Sequence, residues 1–513
     1  VKLINQTRLK LEKRMKRSSI YKISQLIGIG LACLLYLEVN AQTKSTRVHR
    51  SHVSSVVSKP ASSSLTTTVR KTVGFKPEPS GWYSGDIHVH RVCGESTDTI
   101  PEDKLTEQME KNNLDVVAML ADIGKSEMKE SKADLLKVNG KDAKGSVPGR
   151  IIRWDAEWHY EPSGMDAADQ VIGGHLALLG LKEVHSIQEE PSYKILDWAK
   201  SQNAVTGFVS MKYFNKESED KSSSCVPLDF PVEVALGKID FVADDTWQNE
   251  DAVRAYYKLL NCGFRIGLVA GTDVPCTNGS MGDALTYVQV KEKPLTYEKW
   301  IDGIKNGRTV VSINGHNEFL DIKAKGTYSP GDEIKIKGQG DVNVMVRWTG
   351  AKDLTGRVEL ICNGKVVATE AGSVRAGSSV ILTATQKFIR SGWLSARRMD
   401  EKGHVSLTSP IYVIVDDRPI RASIDDAKFF ISWIDRSLEN ISAGGPWNKY
   451  FTHDLDTIKA RYERARDIYI KIEDETIDQL KNMGNGVLDN GAVVKSPVKK
   501  TVKHKRSKYI HRR

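Results

Sequence analysis

Between Gly85 and about Gly315, short apolar runs alternate with longer polar or amphipathic stretches. The runs cover 87–90, 114–121, 151–154, 175–180, 206–210, 239–243 and 266–270. Segments of helical length separate them, for instance 100–111 and 250–261. Continuous apolar runs spaced in this way predict parallel strands joined by crossover helices, closed into an α/β barrel or, failing that, laid out as an open sheet. After Glu318 the period falls to two, over 319–323, 342–348, 358–362, 366–369, 380–385 and 411–415, with Asn363-Gly364 as a hairpin turn. That pattern predicts an antiparallel β-sandwich over 319–416. Next, Ser423-Ile424-Asp425-Asp426 resembles a capping box, opening a helix through Phe429, Phe430, Trp433 and Ile434. A second helix places Ile458, Tyr462, Ala465 and Tyr469 on one face, so 417–480 reads as a helical segment whose aromatics pack against the body.

The ends of the chain carry a different signal. Lys16, Arg17 and Lys22 precede an apolar run over 26–37 and then Val39-Asn40-Ala41, which has the small-residue spacing of a cleavage site. Residues 1–41 are therefore expected to be a leader removed after Ala41, placing the mature chain in a periplasmic or extracellular compartment. The apolar run is too short to span a bilayer comfortably, so no stable span is expected after cleavage. Residues 42–74, rich in Ser, Thr and Val, suit a linker; 481–513 form a basic tail read as solvated and disordered.

At 513 residues the chain has room for two or three domains, and 40% hydrophobic with 27% charged residues is ordinary for a soluble protein. The formal charge of +10 misleads, because the leader and the tail hold more than the whole excess and the body between them is slightly acidic. This argues against a nucleic-acid partner. Six cysteines without a CxxC pair indicate neither a disulfide framework nor a thiolate zinc site; a single bridge, such as Cys93 to Cys276, is compatible with the spacing.

The stretch richest in candidate chemistry is Gly85-Asp86-Ile87-His88-Val89-His90. Alternation on a regular strand puts Asp86, His88 and His90 on one face, with two imidazoles placed to bind one metal ion. Functional groups of α/β barrels gather at the C-terminal strand ends, and there stand Asp122, Glu157 and Asp273; His175 instead opens its apolar run and fits this rule less well. His88, His90, Glu157, His175, Asp273 and Asp122 together make an oxygen-and-nitrogen set suited to Zn²⁺, Mn²⁺ or Fe²⁺, for one ion with a second allowed. Plainer roles stay open at this point. The imidazoles of His88, His90 and His175 also suit partly buried packing, Glu157 an exposed loop, Asp122 a helix cap, and Gly271-Thr272-Asp273 a turn before a helix. His159 and Arg91 are lesser candidates, Arg91 facing away from His90 unless the chain bends. Trp82, Trp158 and Trp247 could stack on a sugar or aromatic ring, or simply pack.

Gly81-Trp82-Tyr83-Ser84-Gly85-Asp86-Ile87-His88-Val89-His90, Gly173-Gly174-His175-Leu176, Tyr256-Tyr257-Lys258-Leu259-Leu260-Asn261-Cys262-Gly263 and Ala270-Gly271-Thr272-Asp273, in that order, resemble the CehA/McbA-type metallohydrolases of the polymerase-and-histidinol-phosphatase (PHP) superfamily. The resemblance runs from about Gly81 to about Asp435. It implies a distorted (β/α)7 PHP-type barrel over 75–318 with metal at its mouth, and hydrolysis of a carbamate, ester, amide or phosphoester bond in a small-molecule or glycan-like substrate. Carried over by position, His88, His90, Glu157 and Asp273 are the leading ligands and His175 and Asp122 the second choices, with Asp273 and Glu157 as the catalytic pair. The chain departs from the family pattern at Ile123, at Ser210-Met211-Lys212 and at Asp273-Val274-Pro275, where further histidines are usual. These departures argue against a trinuclear centre and leave an alternative in view, a degenerate barrel that binds a small molecule or glycan without cleaving it.

Overall fold

The computed structural model describes residues 75–92, 101–125, 132–160, 175–184, 191–209, 229–243, 250–451 and 453–482. The expected leader, cleavage site and linker, nearly all of the basic tail, and Cys93, Cys225 and Trp247 lie outside them.

Each apolar run of the first half forms a strand: β1 Trp82–Val89, β2 Val116–Lys125, β3 Ile151–Tyr160, β4 His175–Leu179, β5 Val205–Val209, β6 Phe241–Ala243 and β7 Gly267–Val269. They lie side by side in chain order. Neighbours are parallel except at β4, which runs antiparallel to both β3 and β5, so the expectation of uniformly parallel strands is corrected there. The segment leaving β7 returns to β1: Asp273 N donates to His88 O and His90 N to Val274 O, both at 2.7 Å. Gly271 permits this approach, since a Cβ there would stand 2.5 Å from the Cβ of His88.

Helices α1 Glu102–Lys111, α2 Lys132–Leu135, α3 Ser192–Ser201, α4 Phe230–Ala235 and α5 Glu250–Asn261 follow β1, β2, β4, β5 and β6 in turn. In α5, Val253, Tyr256, Tyr257 and Leu260 recur at helical spacing and are all buried. Alternate residues of the strands divide between two cores. Val116, Ala118 and Leu120 of β2, Ala177 and Leu179 of β4, and Phe241 and Ala243 of β6 share one core with Tyr297, Trp300 and Ile304; Val117 and Met119 belong to the other. Period-two alternation with both faces covered explains why these strands read as unbroken apolar runs.

The hydrophobic pattern does not single out β8 Leu285–Gln289 and β9 Thr309–Ser312, which flank α6 Tyr297–Lys305. β8 pairs antiparallel with β1, and β9 with β8. The second half contains β10 Glu318–Ala324, β11 Glu333–Ile336, β12 Gly340–Gly350, β13 Leu354–Cys362, β14 Lys365–Val374, β15 Ser379–Phe388, β16 Gly392–Asp400, β17 Gly403–Thr408 and β18 Ile411–Val415. Of these, β10, β12 and β15 form a separate antiparallel sheet, while β17 pairs with β9 and so continues the first sheet. The change of period at Glu318 is thus no break in hydrogen bonding. Nor is this half wholly antiparallel, since β11 and β18 are parallel neighbours. Asn363 and Gly364 turn between β13 and β14 with φ of 49° and 81°, as their sequence predicts.

The chain continues in α7 Ile424–Ile441 and α8 Leu455–Asn482. Ser423 Oγ accepts from Asp426 N at 3.2 Å, the expected cap. Tyr469 stacks on Phe430 with ring centroids 5.0 Å apart and donates to Pro231 O, tying both helices to α4. Among the described residues no helix is long and apolar enough to cross a membrane.

Candidate metal centre

All six residues singled out as ligands converge, although they come from β1, β2, β3, β4 and the segment after β7. At the middle is Glu157, 1% exposed. Its Oε2 lies 3.1 Å from His88 Nε2, 3.0 Å from His90 Nε2 and 3.3 Å from His159 Nε2, and its Oε1 lies 3.3 Å from His175 Nδ1. Asp273 Oδ1 stands 3.5 Å from His88 Nε2 and 3.6 Å from His90 Nε2. Asp122 Oδ1 stands 3.1 Å from His159 Nε2 and 3.5 Å from His90 Nδ1. Three overlapping trios have ligand atoms close enough to share an ion: His88, His90 and Asp273; Glu157, His159 and His175; and His90, Asp122 and Glu157.

The strand directions explain the placement of His175. Because β4 runs antiparallel, its first residue lies at the same end of the sheet as the last residues of β3, and His159 and His175 are paired across the ladder. The rule of C-terminal strand ends therefore understates His175. Glu157 is not on an exposed loop, for β3 extends to Tyr160; Asp122 caps no helix, for β2 extends to Lys125. Asp273 opens no helix either. It has φ of 53°, with its N–H held by His88 O.

One expectation about β1 is corrected. The pairing with β2 slips by one residue between Asp86 and Val89, a β-bulge: Asp86 lies beside Val117, yet Val89, three residues on, lies beside Met119. Asp86 therefore shares no face with His88 and His90. The extra residue turns the two imidazoles towards Glu157, while the Asp86 carboxylate accepts from His88 N, Thr272 N, Thr272 Oγ1 and Gly282 N. Burial, against those hydrogen bonds, pushes the Asp86 carboxyl up to about 6. A second buried acid, Asp155, stands two residues before Glu157 on β3. It accepts from Gly180 N and Leu181 N at 2.8 and 2.9 Å and from the Tyr297 hydroxyl, fixing β3 against the exit of β4.

The electrostatics of the cluster are those of a cation site. Burial works against the charges of Glu157, His90 and His159. The imidazoles of His159 and His88 nevertheless hold Glu157 well below the usual carboxylate range. Despite burial, Glu157 and Asp122 raise His159 to about 10, and Asp122 and Glu157 raise His90. The carboxylates thus favour positive charge among them, which a proton on imidazole or a divalent cation can supply. His90 Nε2 and Glu157 Oε1 are buried and form no hydrogen bond of acceptable angle, in spite of short separations. Neutral imidazole nitrogens and carboxylate oxygens packed in this way fit a divalent ion. The cluster is more open on one side, where the side chains of Asp273 and His175 are 23% and 30% exposed.

His159 ranked low in the sequence, yet it sits two residues after Glu157 on the same strand face and reaches both Glu157 and Asp122. The spacing Glu157-x-His159 on a strand was the available signal. Arg91 does not point at the cluster: its Nε donates to both carboxylate oxygens of Asp134 on α2, at 2.9 and 3.1 Å. Trp82 packs edge-on against Phe319 and Trp158 is fully buried, so neither offers a stacking face. Cys276 is disulfide-bonded to a partner outside the described residues, while Cys262 and Cys362 are buried free thiols.

Comparison with known proteins adds no assignment. No protein-family model matches the chain, and no curated protein matches it. Solved structures similar to parts of it include the CARDB domain of a Pyrococcus furiosus protein in complex with di-metal ions, with 15% identity, 20% of this chain and 96% of that one covered, and a TM-score of 0.15. Another is a β-glucosidase from Listeria innocua in complex with glucose, with 12% identity, 19% of this chain and 16% of that one covered, and a TM-score of 0.13. Similarity at this level carries no argument about fold or function.

Proposed function

We propose that the chain is an exported metal-dependent hydrolase of the CehA/McbA type in the PHP superfamily, built on a distorted (β/α)7 barrel with an accessory β-sandwich, and that its centre holds two divalent ions. The observation that carries this reading is the convergence of four imidazoles and three carboxylates, from distant parts of the chain, round the buried Glu157. His88, His90 and Asp273 form one half; His159, His175 and Asp122 form the other, and Glu157 stands between them, its Oε2 beside His88, His90 and His159 and its Oε1 beside His175. His159 supplies an imidazole beside Asp122, which offsets the histidines that the family pattern would place elsewhere.

A divalent ion in such a site supplies Lewis acidity to water and to a scissile carbonyl or phosphoryl group. The protein's own residues divide the remaining work. Glu157, nearly closed off from solvent, holds the two halves together, whereas Asp273, the more exposed carboxylate, is placed to accept a proton from the attacking water. The main chain of Val274 and His88, through its hydrogen bonds to β1 and Asp273, fixes that carboxylate beside the imidazoles.

The test is hydrolysis of a panel of p-nitrophenyl esters, carbamates and phosphates by the protein loaded with Mn²⁺ or Zn²⁺. The expected result is metal-dependent turnover that falls by on the order of 100-fold or more in Asp273→Asn, as for loss of a general base. Turnover equal in parent, Asp273→Asn and Glu157→Gln would remove the catalytic assignment. Metal binding without turnover on any class would instead favour a barrel that binds its ligand without cleaving it.

A further inference from the structure

Resting on that reading of the centre, we propose that Asp86 is the positioning residue of the His88–His90–Asp273 half, setting the geometry of that half without itself binding the ion. Asp86 is fully buried, lies on the opposite face of β1 from both imidazoles and belongs to none of the three trios. Its carboxylate is filled by donors from three segments. Oδ1 accepts from His88 N at 3.1 Å and from Thr272 N at 3.0 Å; Oδ2 accepts from Gly282 N at 2.9 Å and from the Thr272 hydroxyl.

Two of these bonds act directly on ligand-bearing backbone. The bond to His88 N is made within the bulge that turns His88 and His90 towards Glu157. The bonds to Thr272 fix the residue before Asp273, which itself sits at a left-handed φ of 53°. Asp273 N in turn donates to His88 O, so His88 and Asp273 are joined both through Asp86 and directly. The other half takes its register from the β2–β3 and β3–β4 ladders, and none of the hydrogen bonds to the Asp86 carboxylate comes from it. A change at Asp86 should therefore loosen one half of the centre and spare the other.

Asparagine cannot replace this carboxylate without fault. Three of the four donors are backbone N–H groups that cannot reverse, and on either orientation the amide NH₂ would face at least one of them. The experiment is titration of the metal-free full chain with Co²⁺, followed by visible ligand-field absorption and by competition with a chromophoric chelator, with the unfolding temperature of each protein measured alongside. The parent is expected to take up two equivalents. Asp86→Asn should retain one and bind the other about 100-fold more weakly, the upper end of the range for partners of metal ligands. Thr272→Val, which deletes one hydroxyl and no charge, should weaken the same equivalent about tenfold, and Thr272→Ser should restore it.

A role confined to general stability would lower the unfolding temperature and leave the Co²⁺ spectrum and affinities of the folded protein alone. Parental affinities and spectra for both equivalents in Asp86→Asn and Thr272→Val overturn the proposal. Should Asp86→Asn not fold, Thr272→Val against Thr272→Ser decides it. A parent that binds no Co²⁺ overturns instead the metal reading on which the proposal rests.

Discussion

Two of the buried clusters of ionisable groups among the described residues are built on opposite principles. In the β-rich half, Glu318 is completely enclosed, with Oε2 accepting from Trp348 Nε1 at 2.6 Å and lying 3.2 Å from Arg398 Nε, and Oε1 accepting from Asn314 Nδ2 at 2.8 Å. Arg398 also stacks over the Trp348 ring, 4.7 Å from its centroid. Glu318 meets a permanent cation and fixed neutral donors, and a second carboxylate, Asp400, lies 3.5 Å from Arg398 Nη1, so the cluster carries its own counter-charges. Round Glu157 the described carboxylates face imidazoles, whose charge depends on captured protons, and His90 Nε2 and Glu157 Oε1 lack a well-angled hydrogen bond. The knot at Glu318 holds a permanent cation of its own, whereas the one at Glu157 relies on imidazoles, which can give up their protons to a metal ion. Burial alone does not distinguish the two, but the balance of donors and acceptors does.

The contrast breaks most readily at its two centres. Replacing His88 and His90 together by Ala should weaken binding of the ion they share by well over the roughly 100-fold that even supporting residues can cause, with the fold retained; chelator competition and circular dichroism check this. Unaltered affinity would put the two knots in one class. Glu318→Ala should do the reverse, destabilising by about 3 kcal/mol because Arg398 loses its buried partner and keeps only the partly exposed Asp400, 3.5 Å away, with metal stoichiometry unaffected. Denaturant unfolding and metal analysis on the same preparation measure both.

Smaller effects sharpen the distinction. Asp229, at the start of α4, is raised well above the usual carboxylate range by burial and by Glu233, with Arg461 opposing. A carboxyl raised on folding contributes stability fully below its unfolded value and loses it as pH rises through the folded one. Stability of the parent should therefore decline as pH rises out of the ordinary carboxylate range. Asp229→Asn should flatten that slope and add about 1 kcal/mol at neutral pH, read from unfolding curves at several pH values. Arg91→Ala, which removes a partly exposed ion pair with Asp134, should cost about 0–1 kcal/mol and leave metal affinity unchanged, although Arg91 adjoins His90 in the chain.

Much of this arrangement was legible in the sequence because strands announce themselves by period and apolar content. The seven runs, the Asn363-Gly364 turn, the Ser423 cap and the face of α8 that buries Tyr462 and Tyr469 all follow from local rules. Three features did not. The direction of β4 depends on pairing with β3 and β5, which no local pattern encodes, so His175 looked misplaced. The bulge after Asp86 is a one-residue slip against a strand some thirty positions away, invisible to alternation within β1. The continuity of β9 with β17 spans the point where the period changes, so that change marked a difference in local pattern rather than a boundary between sheets. His159 was legible in principle, standing two residues from Glu157, but only once β3 was known to reach it.

The most direct test of the account is anomalous diffraction from crystals of the protein grown with Mn²⁺. The prediction is two peaks flanking the Glu157 carboxylate, one among His88, His90 and Asp273 and the other among His159, His175 and Asp122. Diffraction that shows no peak there, with the imidazoles paired only to the carboxylates, would contradict it.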